Sequence, residues 1–211
     1  MLIKGIAVGP LQANCFIIAD ENTKKAVVID PGDEPEIILG FIKENGLSVE
    51  YIVCTHGHFD HVGAVGDIKK ETGGRVVLHK DEIDIYKAAL DMAAFWGYEI
   101  DPLPEPDILV KGEEVLKIGN LSLKIIHTPG HSPGGICIYG EGIIVTGDTL
   151  FAGSVGRTDF YGGDINKLKS SFRRIMDLPD DTRVFPGHGN NSTVGYEKRN
   201  NMFSKDFLKI S

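Results

Sequence analysis

The chain has 211 residues, 42% hydrophobic and 25% charged, which is the composition of an ordinary globular protein and the length of one large domain or two small ones. Its formal net charge is −8, without a Lys/Arg cluster, which argues against nucleic acid or an anionic membrane as the main partner. No apolar run approaches the ~20 residues of a membrane span, and the first residues lack the apolar stretch of a secretory signal, so we expect a cytoplasmic protein.

Hydrophobic periodicity in the first half predicts short strands followed by alternating helices and strands. The apolar positions Ile38 and Ile42 lie one helical turn apart, and Gly46 is placed to end that helix. The predicted elements are strands over Leu2–Val8, Cys15–Ala19 and Ala26–Ile29, a helix over Glu34–Asn45, a strand over Tyr51–Cys54, a helix over Val62–Thr72, a strand over Arg75–Leu78 and a helix over Asp81–Trp96.

The second half repeats this order after an extended crossing, Asp101–Pro106, which contains three prolines. Its predicted elements are strands over Val115–Ile118, Leu121–Ile126, Ile136–Tyr139 and Ile143–Thr146, a helix over Ile165–Met176 and a last strand over Arg183–Phe185. Two β-rich halves without a linker predict one α/β domain over residues 1–211, in which two sheets are flanked by helices. The alternative is two domains divided near Pro102–Pro106.

Residues 55–61, Thr-His-Gly-His-Phe-Asp-His, place three imidazoles and one carboxylate directly after a predicted strand. In an extended turn, the alternate residues His56 and His58 can point the same way and bind one metal ion. Asp60 and His61 can then face a neighbouring point. Neutral imidazole and carboxylate are ligands that suit zinc, iron or manganese. The segment therefore predicts a metal site.

Three further candidate ligands each follow a predicted strand inside a turn that contains glycine or proline. They are His131 in T-P-G-H-S, Asp148 in V-T-G-D-T and His188 in F-P-G-H-G. Loops at strand ends are where rigid scaffolds present functional side chains. Together with the first segment they supply five histidines and two aspartates, which is enough for two metals that share an aspartate and leave positions open for water and substrate.

This ordered set, T-H-x-H-x-D-H followed by separated His, Asp and His, resembles the metallo-β-lactamase superfamily over nearly the whole chain. The resemblance implies an αββα sandwich and two divalent cations per chain, zinc first, with iron or manganese as alternatives. It also implies a ligand set: His56, His58 and His131 for the first metal, Asp60, His61 and His188 for the second, and Asp148 as the bridge.

Within the superfamily, residues 147–160, G-D-T-L-F-A-G-S-V-G-R-T-D-F, are similar to the glyoxalase II branch, the hydroxyacylglutathione hydrolases. Residues 186–201 look like the shorter bacterial and archaeal members of that branch. Glyoxalase II proper continues into a helical domain that grips glutathione, whereas 23 residues follow His188 here, and Asn190 stands near the place of a family tyrosine. We therefore expect weak, broad recognition of the substrate thiol.

The resemblance implies a hydrolase that acts on small thioesters, with S-lactoylglutathione or a related 2-hydroxyacyl thioester as the first candidate. In such an enzyme two cations share a hydroxide near neutral pH, and Asp60 both binds the second metal and orients that hydroxide. Arg157 stands where the family usually has a basic residue facing the substrate; the alternative is a solvated or salt-bridged loop arginine. Nucleic acid and membrane are not expected as partners.

Two other functional classes remain open at this point. The first is a sulfur dioxygenase of the persulfide type, which also resembles the chain through G-R-T-D-F but uses a single iron held by two histidines and one aspartate. Here P-G-H-G replaces the A-H-D-Y pattern of that branch, which favours the hydrolase. The second is a non-catalytic binding protein on the same fold, although such proteins have usually lost ligands.

Four polar residues near these motifs receive other interpretations. Asp30, in an Asp-Pro-Gly turn, either supports a ligand loop from behind or is a simple turn residue. Cys54 is interpreted as a core thiol, because an apolar strand raises the pKa of a thiol. His79 and His127 fall outside the ligand pattern and are interpreted as structural. Cys15, Cys54 and Cys137 have no C-x-x-C spacing, so neither a disulfide framework nor a thiolate zinc site is predicted.

Overall fold

The computed structural model describes residues 1–208, and within them two six-stranded sheets form the centre of the fold. The first sheet has the order β1-β2-β3-β4-β5-β6; β1 to β3 are antiparallel, and β3 to β6 are parallel. Its strands are β1 (Leu2–Val8), β2 (Ala13–Ala19), β3 (Lys25–Ile29), β4 (Ser48–Val53), β5 (Arg75–His79) and β6 (Ile108–Val110).

The second sheet has the order β14-β13-β10-β9-β8-β7 and is antiparallel except for the parallel pair β10 and β13. Its strands are β7 (Val115–Ile118), β8 (Leu121–His127), β9 (Ile136–Gly140), β10 (Ile143–Gly147), β13 (Arg183–Pro186) and β14 (Ser192–Thr193). A small hairpin of β11 (Leu150–Phe151) and β12 (Ser154–Val155) follows β10.

Helices cover the outer face of each sheet. The first sheet is covered by α1 (Pro35–Glu44), α2 (Phe59–Val62), α3 (Val65–Thr72), a 3-10 turn (Lys80–Glu82), α4 (Ile83–Lys87) and α5 (Ala89–Phe95). The second sheet is covered by α6 (Ile165–Met176), α7 (Val194–Asn200) and α8 (Ser204–Phe207). The layer order is therefore helix, sheet, sheet, helix, and the predicted αββα sandwich is confirmed.

The side chains between the two sheets form one hydrophobic cluster drawn from both halves of the chain. Strand β2 shows how the sequence builds it: Phe16 and Ile18 face the second sheet, while Ile17 packs against the helices on the other side. Because both of its faces are covered, this strand is an almost continuous apolar run rather than an alternating one. The prediction of one domain over residues 1–211 stays a prediction; residues 209–211 lie outside the described part.

The structure corrects two predicted helices. The helix predicted over Val62–Thr72 is wrong in its start, because α2 and α3 are separate and the Ala64 N–H donates to the carbonyl of Pro31 instead of continuing the helix. The helix predicted over Asp81–Trp96 is also divided, into a 3-10 turn and two helices that meet at Ala88. The crossing at residues 101–106 has no regular structure, as predicted.

Several short elements of the fold were not predicted from the sequence. Strand β6, the hairpin of β11 and β12, and helices α7 and α8 were not predicted, and β13 is followed by β14, so Arg183–Phe185 is not the last strand. Among the described residues, no helix combines the length and apolarity that crossing a membrane requires.

Candidate metal centre

All seven predicted ligands lie at the carboxyl ends of strands, on one edge of the sandwich. His56 and His58 follow β4 in an extended loop, and the short helix α2 carries Asp60 and His61. The remaining three follow strands of the second sheet: His131 after β8, Asp148 after β10 and His188 after β13. The site is therefore formed by loops that follow strands of both sheets.

The first group joins His56, His58 and His131, all three buried, with one nitrogen from each within 4.8 Å of the others. His131 Nε2 lies 3.0 Å from His58 Nδ1. The His56 ring stands nearly perpendicular to both other rings, at centroid distances of 4.7 and 4.9 Å. Three imidazoles whose nitrogens converge without stacking have the arrangement of a three-histidine metal site.

The second group joins Asp60, His61 and His188, again with ligand atoms within 4.8 Å of one another. His61 Nε2 lies 3.2 Å from His188 Nε2, and Asp60 Oδ2 lies 3.6 Å from the former and 3.3 Å from the latter. The group is less enclosed than the first, because the side chain of His188 is 29% exposed. Its open side faces the surface.

Asp148 lies between the two groups. Its Oδ2 is 3.6 Å from His131 Nε2 and 3.8 Å from His188 Nε2, and its Oδ1 is 3.5 Å from His61 Nε2. One carboxylate therefore reaches both groups, as expected of a bridging ligand. A bulge in the β10–β13 register between Val145 and Gly147 immediately precedes it and re-aims the chain there.

The outward nitrogens of four histidines are held by protein groups. Thr55 Oγ1 lies 3.1 Å from His56 Nδ1, and Asp30 Oδ2 lies 3.1 Å from His61 Nδ1. Backbone carbonyls complete the set: Arg157 O is 2.8 Å from His131 Nδ1, and Leu11 O is 3.2 Å from His188 Nδ1. A histidine that donates through Nδ1 keeps the lone pair of Nε2 for a metal, so these contacts fix the ligating tautomer.

Asp30 supports the site from behind, the first of the two interpretations that the sequence left open. Its Oδ1 accepts from the Thr55 N–H at 2.6 Å, and its Oδ2 accepts from Thr55 Oγ1 at 2.6 Å as well as facing His61. Its backbone has φ of 52°, a left-handed conformation that is uncommon outside glycine. A strained residue with a fully used, buried carboxylate is typical of a functional site.

The residues fit divalent cations on three observations. Buried His56 Nε2 and Asp148 Oδ1 have no hydrogen-bond partner, which a cation would provide. Burial and the neighbouring imidazoles lower the pKa of His56, and burial lowers that of His58 to about 4, so both rings are neutral at pH 7. In the second group burial opposes a charged ring, yet Asp60 and Asp148 raise the pKa of His61 to about 10, which shows that positive charge is favoured there.

Close approach explains the glycine next to His188. A Cβ on Gly187 would lie 2.3 Å from Asp148 Oδ1 and 2.9 Å from His61 Cε1. In the loop that follows β3, a Cβ on Gly32 would lie 1.7 Å from the carbonyl oxygen of Asp60. The ligand loops are therefore packed backbone against backbone, and part of the high glycine content serves this site.

Sequence reasoning missed two residues that hold the ligand loops. The Asn14 side chain donates to the carbonyls of Pro186 and Gly189, on either side of His188. Glu82, fully buried, accepts from the Gly57 N–H at 3.0 Å and the Gly134 N–H at 2.7 Å, which joins the loop of the first two histidines to the loop of His131. A buried charged residue inside an otherwise amphipathic segment gives no periodic signal, so only the tertiary contacts reveal it.

His79 and His127 lie apart from both groups. With Asp81 they meet the distance requirement for a metal site, but their rings stack at 4.0 Å and 16°, so their in-plane lone pairs do not converge on one point. His79 Nδ1 accepts from the Asp81 N–H, and His127 Nε2 lies 2.9 Å from the carbonyl of Pro133. These contacts agree with the structural interpretation of both.

Cys54 and Arg157 are the other residues singled out in the sequence. Cys54 is fully buried, and burial raises the pKa of its thiol well above the ordinary value, as expected of a core thiol. Arg157 lines the same cavity as His58, Asp60, His131 and Asp148. Its guanidinium is bound to the carboxylate of Asp159 by two hydrogen bonds of 2.6 Å, so its charge is already paired.

Comparison with known proteins places this geometry in a family. The sequence model of the metallo-β-lactamase superfamily matches residues 8–188. A hydroxyacylglutathione hydrolase, GloC, from Haemophilus influenzae is 39% identical over 96% of this chain and 98% of its own length.

Three solved structures share the fold. The BLEG-1 B3 metallo-β-lactamase has a TM-score of 0.88 at 35% identity, covering 96% of this chain and 99% of the other. TTHA1623, solved in a di-iron-bound form, has a TM-score of 0.87 at 38% identity, covering 95% and 99%. ETHE1 from Myxococcus xanthus has a TM-score of 0.82 at 26% identity, covering 98% and 85%. The chain belongs to the metallo-β-lactamase superfamily, a family of metal-dependent hydrolases, as the ordered ligand motifs predicted.

Proposed function

We propose that this chain is a dinuclear metal-dependent hydrolase of small thioesters. The observation that carries the proposal is the pair of ligand groups joined by Asp148, which reaches the nitrogens of both at 3.5 to 3.8 Å. His56, His58 and His131 would hold the first cation, and Asp60, His61 and His188 the second. Zinc is the first candidate, and the di-iron form of TTHA1623 makes iron a candidate to test beside it.

Bound divalent cations lower the pKa of a shared water and polarise a carbonyl, which is the chemistry that hydrolysis near pH 7 requires. Burial disfavours the charged form of Asp60, but His61 and His188 hold its pKa well below its usual range, so its carboxylate stays ionised. An ionised carboxylate accepts hydrogen bonds, and Asp60 would therefore orient the attacking water as well as bind metal. A thiolate, whose conjugate acid has a pKa of about 8.5, leaves without being protonated by the protein.

S-lactoylglutathione is the first substrate to test, because GloC carries the name hydroxyacylglutathione hydrolase. Arg157 is the cation in the cavity lining that would contact the substrate. The proposed partners are thus small thioesters, with neither nucleic acid nor membrane involved.

A mononuclear iron persulfide dioxygenase is the second candidate, and similarity to ETHE1 is the observation that favours it. Because the two candidates differ in metal number and in oxygen consumption, one set of measurements separates them. β-Lactam hydrolysis is included in that set, since BLEG-1 is a metallo-β-lactamase.

The test measures metal content of protein purified without chelator, beside hydrolysis of S-lactoylglutathione, hydrolysis of a β-lactam and oxygen uptake with a persulfide. We expect close to two metals per chain and thioester hydrolysis that a chelator abolishes. Saturation at one iron, with oxygen uptake instead, would assign the chain to the dioxygenase candidate.

The matched variants are His188→Ala and His127→Gln. Removing His188 deletes one ligand of the second group from a partly exposed loop, so metal content should fall towards one per chain and hydrolysis by orders of magnitude. His127→Gln keeps a side-chain donor for the Pro133 carbonyl and should retain both metals. Equal losses in the two variants would contradict the ligand assignment.

A further inference from the structure

One cavity of about 440 Å³ opens directly onto the two ligand groups. Four of the ligand residues form its floor, and its walls are mainly apolar. The wall residues are Leu11, Phe59, Met92, Trp96, Tyr98 and Phe160. A volume of this size suits a small organic ligand.

The apolar walls come from separate parts of the chain. Met92, Trp96 and Tyr98 come from α5 and the residues after it, and Tyr98 stacks on Phe59 with ring centroids 5.4 Å apart. Trp96 lines the cavity and is 53% exposed, so much of its ring is open to contact with a bound ligand. Phe160, another lining residue, contacts the ring of His58 edge to face, with ring centroids 5.6 Å apart. A group bound between the walls therefore touches the ligand residues.

Apart from the cations proposed at its floor, this cavity has one positively charged lining residue, Arg157. The cation in the lining, Arg157, is bound by both oxygens of Asp159, and its guanidinium stacks on Phe160 at 3.9 Å. The pair is exposed, at 54% and 65% of the side-chain surface, and Asp159 occupies two of the five guanidinium N–H donors. An incoming carboxylate would therefore bind beside the carboxylate of Asp159, whose negative charge opposes it. The formal charge of −8 on the chain adds no attraction for anions.

From this pairing of apolar walls with a neutralised cation, we propose that the cavity binds an uncharged apolar group of the thioester, of the size of a phenyl ring, in preference to the carboxylates of glutathione. The proposal deepens the proposed thioester hydrolase and rests on it for catalysis. Contact with Trp96 and Met92 supplies the binding energy, and the ligand residues on the floor place the scissile carbonyl next to the metal centre.

Binding is tested first, without catalysis. Trp96 is the single tryptophan of the chain, so its fluorescence reports occupation of the cavity directly. The zinc-loaded protein is titrated with the benzyl thioether of N-acetylcysteamine, which is uncharged, and with S-methylglutathione, which is anionic. We expect a saturable emission change with the former at concentrations at least tenfold lower. Tighter binding of S-methylglutathione would overturn the proposal.

Kinetics then separate the acyl group from the thiol. Three thioesters are compared: phenylacetyl-N-acetylcysteamine, lactoyl-N-acetylcysteamine and S-lactoylglutathione. We expect the first to have the highest kcat/KM, by about tenfold or more, and the last two to differ little. Trp96→Ala should lower kcat/KM for the phenylacetyl thioester alone, mainly through KM, while Tyr161→Ala, an exposed aromatic outside the lining, should not.

Asp159→Asn provides a gain-of-function arm. It frees the charge of Arg157, so KM for S-lactoylglutathione should fall several-fold while that of the phenylacetyl thioester stays constant. An unchanged KM for S-lactoylglutathione would show that the Asp159 pair does not set the preference and would overturn the charge part of the proposal. Hydrolysis of none of the thioesters, with the fluorescence response intact, would instead refute the proposed hydrolase while the preference of the cavity stands.

Discussion

Single contacts behind four of the five candidate histidine ligands decide which ring nitrogen faces the proposed metal centre. Asp30 is the clearest case, because its buried carboxylate accepts from Thr55 twice and holds His61 Nδ1 at 3.1 Å. Its left-handed backbone, at φ of 52°, is retained although it costs free energy. Asp30 therefore matters to the site as His61 does, because it sets the tautomer and the orientation of that ring.

We predict that Asp30→Asn weakens binding of the second cation by about 10- to 100-fold and leaves the first cation in place. An amide NH₂ in the place of Oδ2 faces His61 Nδ1 with a donor, which favours the tautomer whose Nε2 carries the proton. Metal titration by calorimetry on the variant and the parent measures the effect. Asp33→Asn, the same change on an exposed neighbour that contacts Glu34, is the control. If Asp30→Asn bound both cations with the affinities of the parent, Asp30 would not have the role assigned to it.

At the scale of secondary-structure elements, the turn after β5 joins the ligand loops of the two sheets. Glu82, at the end of the 3-10 turn after β5, accepts backbone N–H groups from Gly57 and Gly134, one in each ligand loop. Burial raises the pKa of this carboxyl to about 7 despite those hydrogen bonds. The link between the loops is therefore made by a group that titrates near neutrality.

The sign of the stability effect follows from that shift. The folded chain holds the Glu82 proton more tightly than the unfolded chain, so this contribution is fully present below about pH 4.5 and is lost as pH rises through 7. A shift from 4.5 to about 7 corresponds to a change on the order of 3 kcal/mol in the free energy of unfolding. Glu82→Gln cannot titrate.

The measurement is chemical denaturation of the parent and of Glu82→Gln between pH 4.5 and 7.5 under the same metal conditions. We expect the difference between the two free energies of unfolding to change with pH in the stated direction. Glu71→Gln, on an exposed position of α3, should show a constant difference from the parent. A flat difference for Glu82→Gln as well would mean that this carboxyl does not titrate in the range.

Secondary-structure elements are predicted correctly from the sequence where their apolar residues recur with a regular period over many positions. Helix α6 forms over the predicted residues, and Asp164 caps it by accepting from the N–H groups of Asn166 and Lys167. The ligand loops could be predicted because histidines and glycines cluster there at short spacing. The break at Ala88 could not, since no glycine or proline marks it, and β14 is only two residues long.

The two residues that support the ligand loops could not be predicted either, because their partners are distant in the sequence. Asn14 lies 172 positions before Pro186, whose carbonyl it binds, so nothing local in the sequence relates the two. Glu82 likewise joins loops that follow β4 and β8. Contacts of this kind follow from the packing of two sheets, and a period or a motif carries no information about them.

Over the whole molecule, the metal centre connects the two sheets at one edge, while the shared hydrophobic cluster connects them through the middle. Four of the proposed ligands come from the first half of the chain and three from the second. A cation bound by both halves stabilises the folded state by an amount that grows with the logarithm of its free concentration divided by its dissociation constant. The core between the sheets consists of buried apolar side chains and includes none of the candidate ligands, so we expect it to persist without that cation.

We predict that removing metal leaves the fold intact but lowers the melting temperature. At a free metal concentration of about 1,000 times the dissociation constant, binding contributes about 4 kcal/mol, and for a chain of this size each 1 kcal/mol shifts the midpoint by roughly 2–4 °C. A chelator should therefore lower Tm by about 8–16 °C while far-ultraviolet circular dichroism at 25 °C stays constant.

Hydrogen exchange locates the effect of chelation. It should accelerate in the loops that follow β4, β8, β10 and β13, while the central strands of both sheets should keep their protection. His188→Ala should show a smaller shift on chelation than the parent, since it retains only the first ligand group. Loss of the circular dichroism signal on chelation would show that the metal centre, and not the shared core, holds the two sheets together.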